Sequence, residues 1–275
     1  NVRFKLDSNS RISLSNNDSG GTGGLNSTTG NTVFGYLAGQ SIDSGSVNNT
    51  FIGHGVSDAS MNDAIYNVGI GSGALSALTT GDYNIVIGGE AGAALTTGER
   101  NIFIGHAAGN TTADVSFSVM IGHGAGNGAN ITDAADGTVA IGNQSLAALT
   151  SGGENMAIGY ESGLDITSAS ANTAVGYRAL YEEDTGGHNT AIGQAALYKG
   201  KKGGSAGDVN NTGVGSTAGY FNVTGTNNTY IGKAAGYGAD GQSNSGNTAV
   251  GKDALLAITS ATENVSIGAT SGDAI

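Results

Sequence analysis

Asn189-Thr190-Ala191-Ile192-Gly193 is followed by Gln194-Ala195-Ala196-Leu197, and 17 residues upstream the chain reads Asn172-Thr173-Ala174-Val175-Gly176-Tyr177-Arg178-Ala179-Leu180. The phrase recurs, with drift, from one end of the chain to the other. Taking the Gly after the apolar residue as anchor, it occurs at Gly35, Gly53, Gly71, Gly88, Gly105, Gly122, Gly142, Gly159, Gly176, Gly193, Gly215, Gly232, Gly251 and Gly268. Spacings are 17 or 18 residues, except 20 before Gly142, 22 before Gly215 and 19 before Gly251. That period is too short for helical or leucine-rich repeats of roughly 20–47 residues and too long for hexapeptide or nonapeptide coils.

The columns of the repeat carry its physics. One residue before the anchor stands Ile or Val in every copy but Phe34, and three before stands Thr, Val or Ile in every copy but Met156. Those two positions share one face of an extended strand, which β-branched side chains suit. They are expected to fill the chain's own interior. The column between them points the other way and holds Phe51, Val86, Phe103, Met120, Ala191 and Tyr230. Apolar residues on both faces of a strand imply a second packing layer, so these six are the expected interface with another chain.

Four residues before the anchor is an Asn column: Asn31, Asn49, Asn67, Asn84, Asn101, Asn155, Asn172, Asn189, Asn211, Asn228, Asn247 and Asn264, interrupted only by Ser118 and Thr138. Asn stacked on Asn at one strand spacing bonds its amide to the copies above and below. The anchor Gly supplies positive φ for a turn, and Leu-Thr-Thr-Gly segments such as Leu78 to Gly81 and Leu95 to Gly98 supply a second. Each repeat therefore reads as strand, Gly turn, short Ala/Leu segment and Thr-Gly turn. The fold class is all-β, an elongated β-solenoid-like repeat of 14 coils of about 17 residues. Stacked at about 4.8 Å, they make a rod roughly 65 Å long.

Composition agrees. Of 275 residues 50 are Gly and none is Pro, against usual shares of about 7% and 5%. Collagen is excluded because Gly does not fall at every third position. The net charge of −12 excludes nucleic acid, whose phosphates need Lys and Arg clusters. No apolar run approaches the roughly 20 residues of a membrane helix, so membrane insertion is not expected. Zero Cys excludes disulfides and thiolate metal sites. Residues 1–24 differ from the rest: Val2, Phe4 and Leu6 alternate with charged residues, as do Ile12 and Leu14 with Arg11 and Ser13. They read as a β-hairpin and a Gly/Ser/Asn linker, ahead of a repetitive shaft over 25–275. The chain stops in mid-pattern at Ser271-Gly272-Asp273-Ala274-Ile275, as a piece of a longer polypeptide does.

Asn-Thr-Ala-Ile/Val-Gly-x-x-Ala-Leu, seen at Asn172 to Leu180, Asn189 to Leu197 and Asn247 to Leu255, resembles the shaft repeats of bacteriophage tail fibres. It is also similar to the shorter Asn-Ser-Val-Ala-Ile-Gly head repeats of trimeric autotransporter adhesins. The added Leu-Thr-Thr-Gly segment favours the phage resemblance. The resemblance, covering about residues 31–272, implies a homotrimeric fibre with intertwined or side-by-side chains. It further implies a structural virion protein, in the tail or on an extracellular surface appendage, whose partners are copies of itself and a host-cell surface receptor or glycan. The head of a bacterial trimeric surface adhesin is the alternative. An ice-binding β-solenoid is a third reading, of another class; it needs an unbroken Thr array, and Val68, Ile85, Ile102, Val119, Val139 and Met156 break this one.

No catalytic, metal or cofactor site is expected. His54, His106 and His123 follow anchor glycines, but the same column holds Tyr36, Tyr160, Lys233 and Ser72, as a solvent-facing turn does. Glu182-Glu183-Asp184 is a charge run in a turn, where the cleft that perturbs a catalytic acid is missing. The longest spacing contains Lys199, Lys201 and Lys202; insertions in solenoids map to surface loops, often on a binding face, which makes these the expected binding loop.

Overall fold

In the computed structural model, residues 30–128, 131–200, 207–241 and 244–272 are described. The expected hairpin over residues 1–24 lies outside them. Fourteen three-residue strands form one all-parallel sheet in which each strand pairs with the corresponding strand of the next coil. In chain order these are β1 (Thr32–Phe34), β2 (Thr50–Ile52), β3 (Val68–Ile70), β4 (Ile85–Ile87), β5 (Ile102–Ile104), β6 (Val119–Ile121), β7 (Val139–Ile141), β8 (Met156–Ile158) and β9 (Thr173–Val175). There follow β11 (Thr190–Ile192), β13 (Thr212–Val214), β14 (Thr229–Ile231), β15 (Thr248–Val250) and β16 (Val265–Ile267). A second, two-stranded sheet pairs β10 (Gly186–Gly187) with β12 (Gly207–Asp208) at the longest insertion. The 20-residue spacing before Gly142 holds a 3₁₀ turn, Asp133–Ala135, and no α-helix occurs among the described residues. The chain is a parallel β-solenoid, as its period predicts.

Register follows the repeat without slippage: Thr173 lies beside Thr190, Ala174 beside Ala191 and Val175 beside Ile192. Strands stay at three residues because the backbone enters a positive-φ conformation two residues before each begins and again directly after each ends. Before the Asn column stands a left-handed residue in coil after coil, such as Tyr83 (φ 57°), Arg100 (φ 58°) and His188 (φ 60°). After the strand comes the anchor Gly; at Gly176, φ is 136°. A Cβ there would lie 2.5 Å from the Gly193 carbonyl oxygen of the next coil. Glycine is required twice over, by conformation and by the approach of backbone to backbone.

The interior is where the expectation inverts. Phe51, Val86, Phe103, Met120, Ala191 and Tyr230 are all fully buried within the single chain. They are core, and cannot meet a second chain. The residues flanking them on the strand face outward: Ile85 is 40% exposed and Ile192 41%, with Thr190 half-buried. The strand is sandwiched the other way round: each coil closes on its middle side chain, whether that is large as in Phe103 or small as in Ala191.

A second column completes that core, four residues after the anchor. It is left-handed throughout and carries either Gly or a side chain: Gly92, Gly109, Gly126 and Gly236 face large middle residues, while Leu75, Leu146, Leu180 and Leu255 face Gly69, Ala140, Ala174 and Ala249. The fit is tight; a Cβ on Gly126 would lie 2.3 Å from the Met120 sulfur and one on Gly236 2.2 Å from a Tyr230 ring carbon. A left-handed Leu costs about 1–2 kcal/mol, and full burial of its side chain contributes about 1.5–3 kcal/mol. Burial wins only if it is complete, and each of these four leucines is 0% exposed.

Candidate interaction surface

The Asn column forms the expected ladder. The Asn84 N–H and Nδ2 both donate to Asn67 Oδ1, at 3.0 Å each, and Asn84 Nδ2 also donates to the Gly98 carbonyl at 2.9 Å. Asn101 repeats this upon Asn84, and Asn228 upon Asn211. Buried amides are thereby satisfied by their own copies, a structural role rather than a ligand site.

The outward strand face runs along all 14 strands of the main sheet. It consists of two parallel columns, one residue and three residues before the anchor. The first is aliphatic from Ile52 to Ile267; the second is aliphatic from Val68 to Met156 and Thr from Thr173 to Thr248. Exposure is 42% at Met156 and 41% at Ile231, and rises to 72% at Ile267 in the last strand. At about 65 Å by about 12 Å, the face is on the order of 800 Å², close to what one partner contributes to a standard stable interface.

The turns carry ladders of their own. His106 and His123 stack at 5.3 Å between centroids, and Tyr36 stacks on His54 at 5.5 Å. Tyr66 stacks on Tyr83, and the Arg100 guanidinium sits between the Tyr83 and Phe117 rings at 5.5 and 5.4 Å. No group of three His, Cys, Asp or Glu able to hold a metal ion occurs among the described residues.

Of the expected binding loop, Lys201 and Lys202 lie outside the described residues. Lys199 does not project as a free cation: its Nζ bonds Glu182 at 2.8 and 2.9 Å, which raises its pKa. Arg178 pairs likewise with Glu161 at 2.6 Å, and that hydrogen bond holds its pKa up. In the adjacent turn, Glu183 is buried and accepts the Gly186 N–H at 2.6 Å.

Four tyrosines the sequence reading passed over lie beside these pairs. Tyr181, Tyr198, Tyr220 and Tyr237, each five residues after an anchor, stack in four consecutive coils at 5.0, 4.8 and 5.2 Å. Phe221 packs edge-on against Tyr220 and Tyr237. Burial raises the pKa of Tyr198 and Tyr220. Their signal was plain in hindsight: one residue type at one phase in four successive repeats. No helix among the described residues is long and apolar enough to cross a membrane. Compared with family models, curated proteins and solved structures, the chain matches none.

Proposed function

We propose that the chain is a shaft segment of a self-assembling fibre, a homotrimeric bacteriophage tail fibre taking part in host-cell attachment. Its mechanism is mechanical: a stiff rod that holds attachment surfaces away from the particle. One observation carries the self-assembly, the continuous outward face of Ile, Val and Thr along the parallel sheet. A contiguous apolar surface of this size marks an interaction site. Two strictly repeating columns are met in register by a second copy carrying the same period. The repeat phrase supports the phage setting; the shorter adhesin repeats make a bacterial trimeric adhesin head the nearest alternative.

Sedimentation equilibrium tests it on the whole chain. Wild type is expected to sediment as a trimer. Ile104→Lys/Ile121→Lys, on the outward columns, is expected to sediment as a monomer with unchanged far-UV circular dichroism, because a buried unpaired cation is excluded from a dry interface. A wild type that is monomeric at all concentrations overturns self-assembly.

Ice binding has one observation in its favour: Thr173, Thr190, Thr212, Thr229 and Thr248 face outward in consecutive coils. The aliphatic run from Val68 to Met156 in the same column counts against it. Thermal hysteresis of the monomeric double variant separates the two readings.

A further inference from the structure

The stacked tyrosines do not follow from the needs of the coil. At the same phase, earlier repeats carry Ser76, Ala93, Asn110, Asn127 and Ala147, and the sheet runs through those coils unchanged. The aromatic run is thus confined to one stretch of one side, away from the outward strand columns. A ladder of rings hides its faces from solvent and presents edges. Stacks of 4.8–5.2 Å with interplanar angles of 4–17° leave no gap between rings for a ligand. Among the described residues no hydrogen bond engages the four hydroxyls. A half-buried hydroxyl without a protein partner is directed to water, so the ladder displays a straight row of phenols, one per coil.

Two cations beside the ladder are each paired with a carboxylate. Arg178 lies 4.9 Å over the Tyr181 ring and is paired with Glu161; Lys199 lies 6.0 Å over the Tyr198 ring and is paired with Glu182. The surface is therefore rigid, presents neither Arg178 nor Lys199 as an unpaired cation, and is rich in groups that both donate and accept. Tyrosines held by stacking lose little side-chain freedom when they bind. The matching ligand is linear, uncharged and polyhydroxylated, with a repeat close to one coil. An extended β-1,4-linked chain of neutral sugars advances by nearly that distance per residue. Anionic polymers fit poorly on a chain of net charge −12.

We propose that Tyr181, Tyr198, Tyr220 and Tyr237 form a binding track for a neutral, linear β-1,4-linked polysaccharide, one sugar per coil. This deepens the attachment reading, on which it rests for where such a polymer is met, and it relocates glycan contact from the Lys loop to the phenol row.

The test titrates the full chain with cellohexaose and cellobiose, read by tyrosine fluorescence, which is unobscured because the chain has no Trp, and by calorimetry. Cellohexaose is expected to bind saturably, and cellobiose at least about tenfold more weakly, since successive contacts add along a track. Tyr198→Phe/Tyr220→Phe keeps the stack and deletes two hydroxyls; it is expected to weaken cellohexaose about tenfold with unchanged circular dichroism, while Tyr66→Phe/Tyr83→Phe binds as wild type. Absence of saturable binding, equal affinity for the two sugars, or wild-type affinity in the Tyr198/Tyr220 variant overturns the track. Sedimentation of the same samples separates the two readings. If the Tyr198/Tyr220 variant dissociates, the ladder is a chain–chain contact and the track fails while the fibre stands. A monomeric wild type that binds cellohexaose as described leaves the track standing and the fibre rejected.

Discussion

At Thr138 the Asn ladder fails, and the failure is measurable. Ser118 accepts the role in part: its N–H donates to Asn101 Oδ1 at 3.0 Å, and its Oγ accepts the Thr138 N–H at 3.2 Å. The Thr138 hydroxyl is buried without a partner, and the Asn155 Nδ2 above it donates to the turn carbonyls of Gly152 and Ala169 instead of to the Thr138 side chain. The ladder is thus interrupted between Thr138 and Asn155, where neither side chain bonds the other. Ser118→Asn/Thr138→Asn is therefore expected to close the ladder and raise unfolding free energy by about 1–2 kcal/mol, the usual value of satisfying a buried polar group. Differential scanning calorimetry checks it; a double variant melting at or below wild type shows that this coil does not seat the amide.

A three-residue strand explains both what the sequence discloses and what it conceals. The anchor glycines and the Asn column are legible because each performs one chemical task that no other residue performs, so identity itself is periodic. Which side of the strand faces in is not legible from hydrophobicity, since Ile192 and Thr190 look as core-like as Ala191. Alternation over three residues has no turn-to-turn redundancy to expose the error. The deciding clue lay 6 residues downstream: large middle residues pair with Gly four after the anchor, as at Phe103 with Gly109, Met120 with Gly126 and Tyr230 with Gly236. Every Leu at that position pairs with a small middle residue, as at Ala140 with Leu146, although Ala157 with Gly163 and Phe51 with Ser57 do not follow the rule. Volume compensation of this kind marks two side chains that share one interior. It can be exchanged. Phe103→Ala is expected to cost about 3–5 kcal/mol by opening a cavity, and Phe103→Ala/Gly109→Leu to recover more than half of it, because Gly109 already has the left-handed backbone of the core leucines at φ 56°. Chemical denaturation compares them; equal stability of the single and double variants means that the two columns are uncoupled.

The whole molecule is one-dimensional. Each strand of the main sheet contacts only the strands before and after it, so its stability is a sum over coils and nearest neighbours. Removing residues 84–100 joins Tyr83 to Asn101 in phase. The shortened chain is expected to keep its circular dichroism per residue and to melt within about 5 °C of wild type, whereas removing only 84–99 breaks the phase and lowers melting far more. Similar losses for the two deletions would show that stability is not carried coil by coil.

Such uniformity has a hazard: a chain of near-identical units is free to pair with itself one whole unit out of step. The irregular intervals answer it. Among the described residues the β10–β12 pair occurs in only one place, and the large-or-small variation of the core reads differently along the coils. Together they act as an address printed along the rod, so that a slipped copy meets a ring where a glycine should be and a hydroxyl where an amide should be. The departures from perfect repetition are what give a periodic object a single correct alignment.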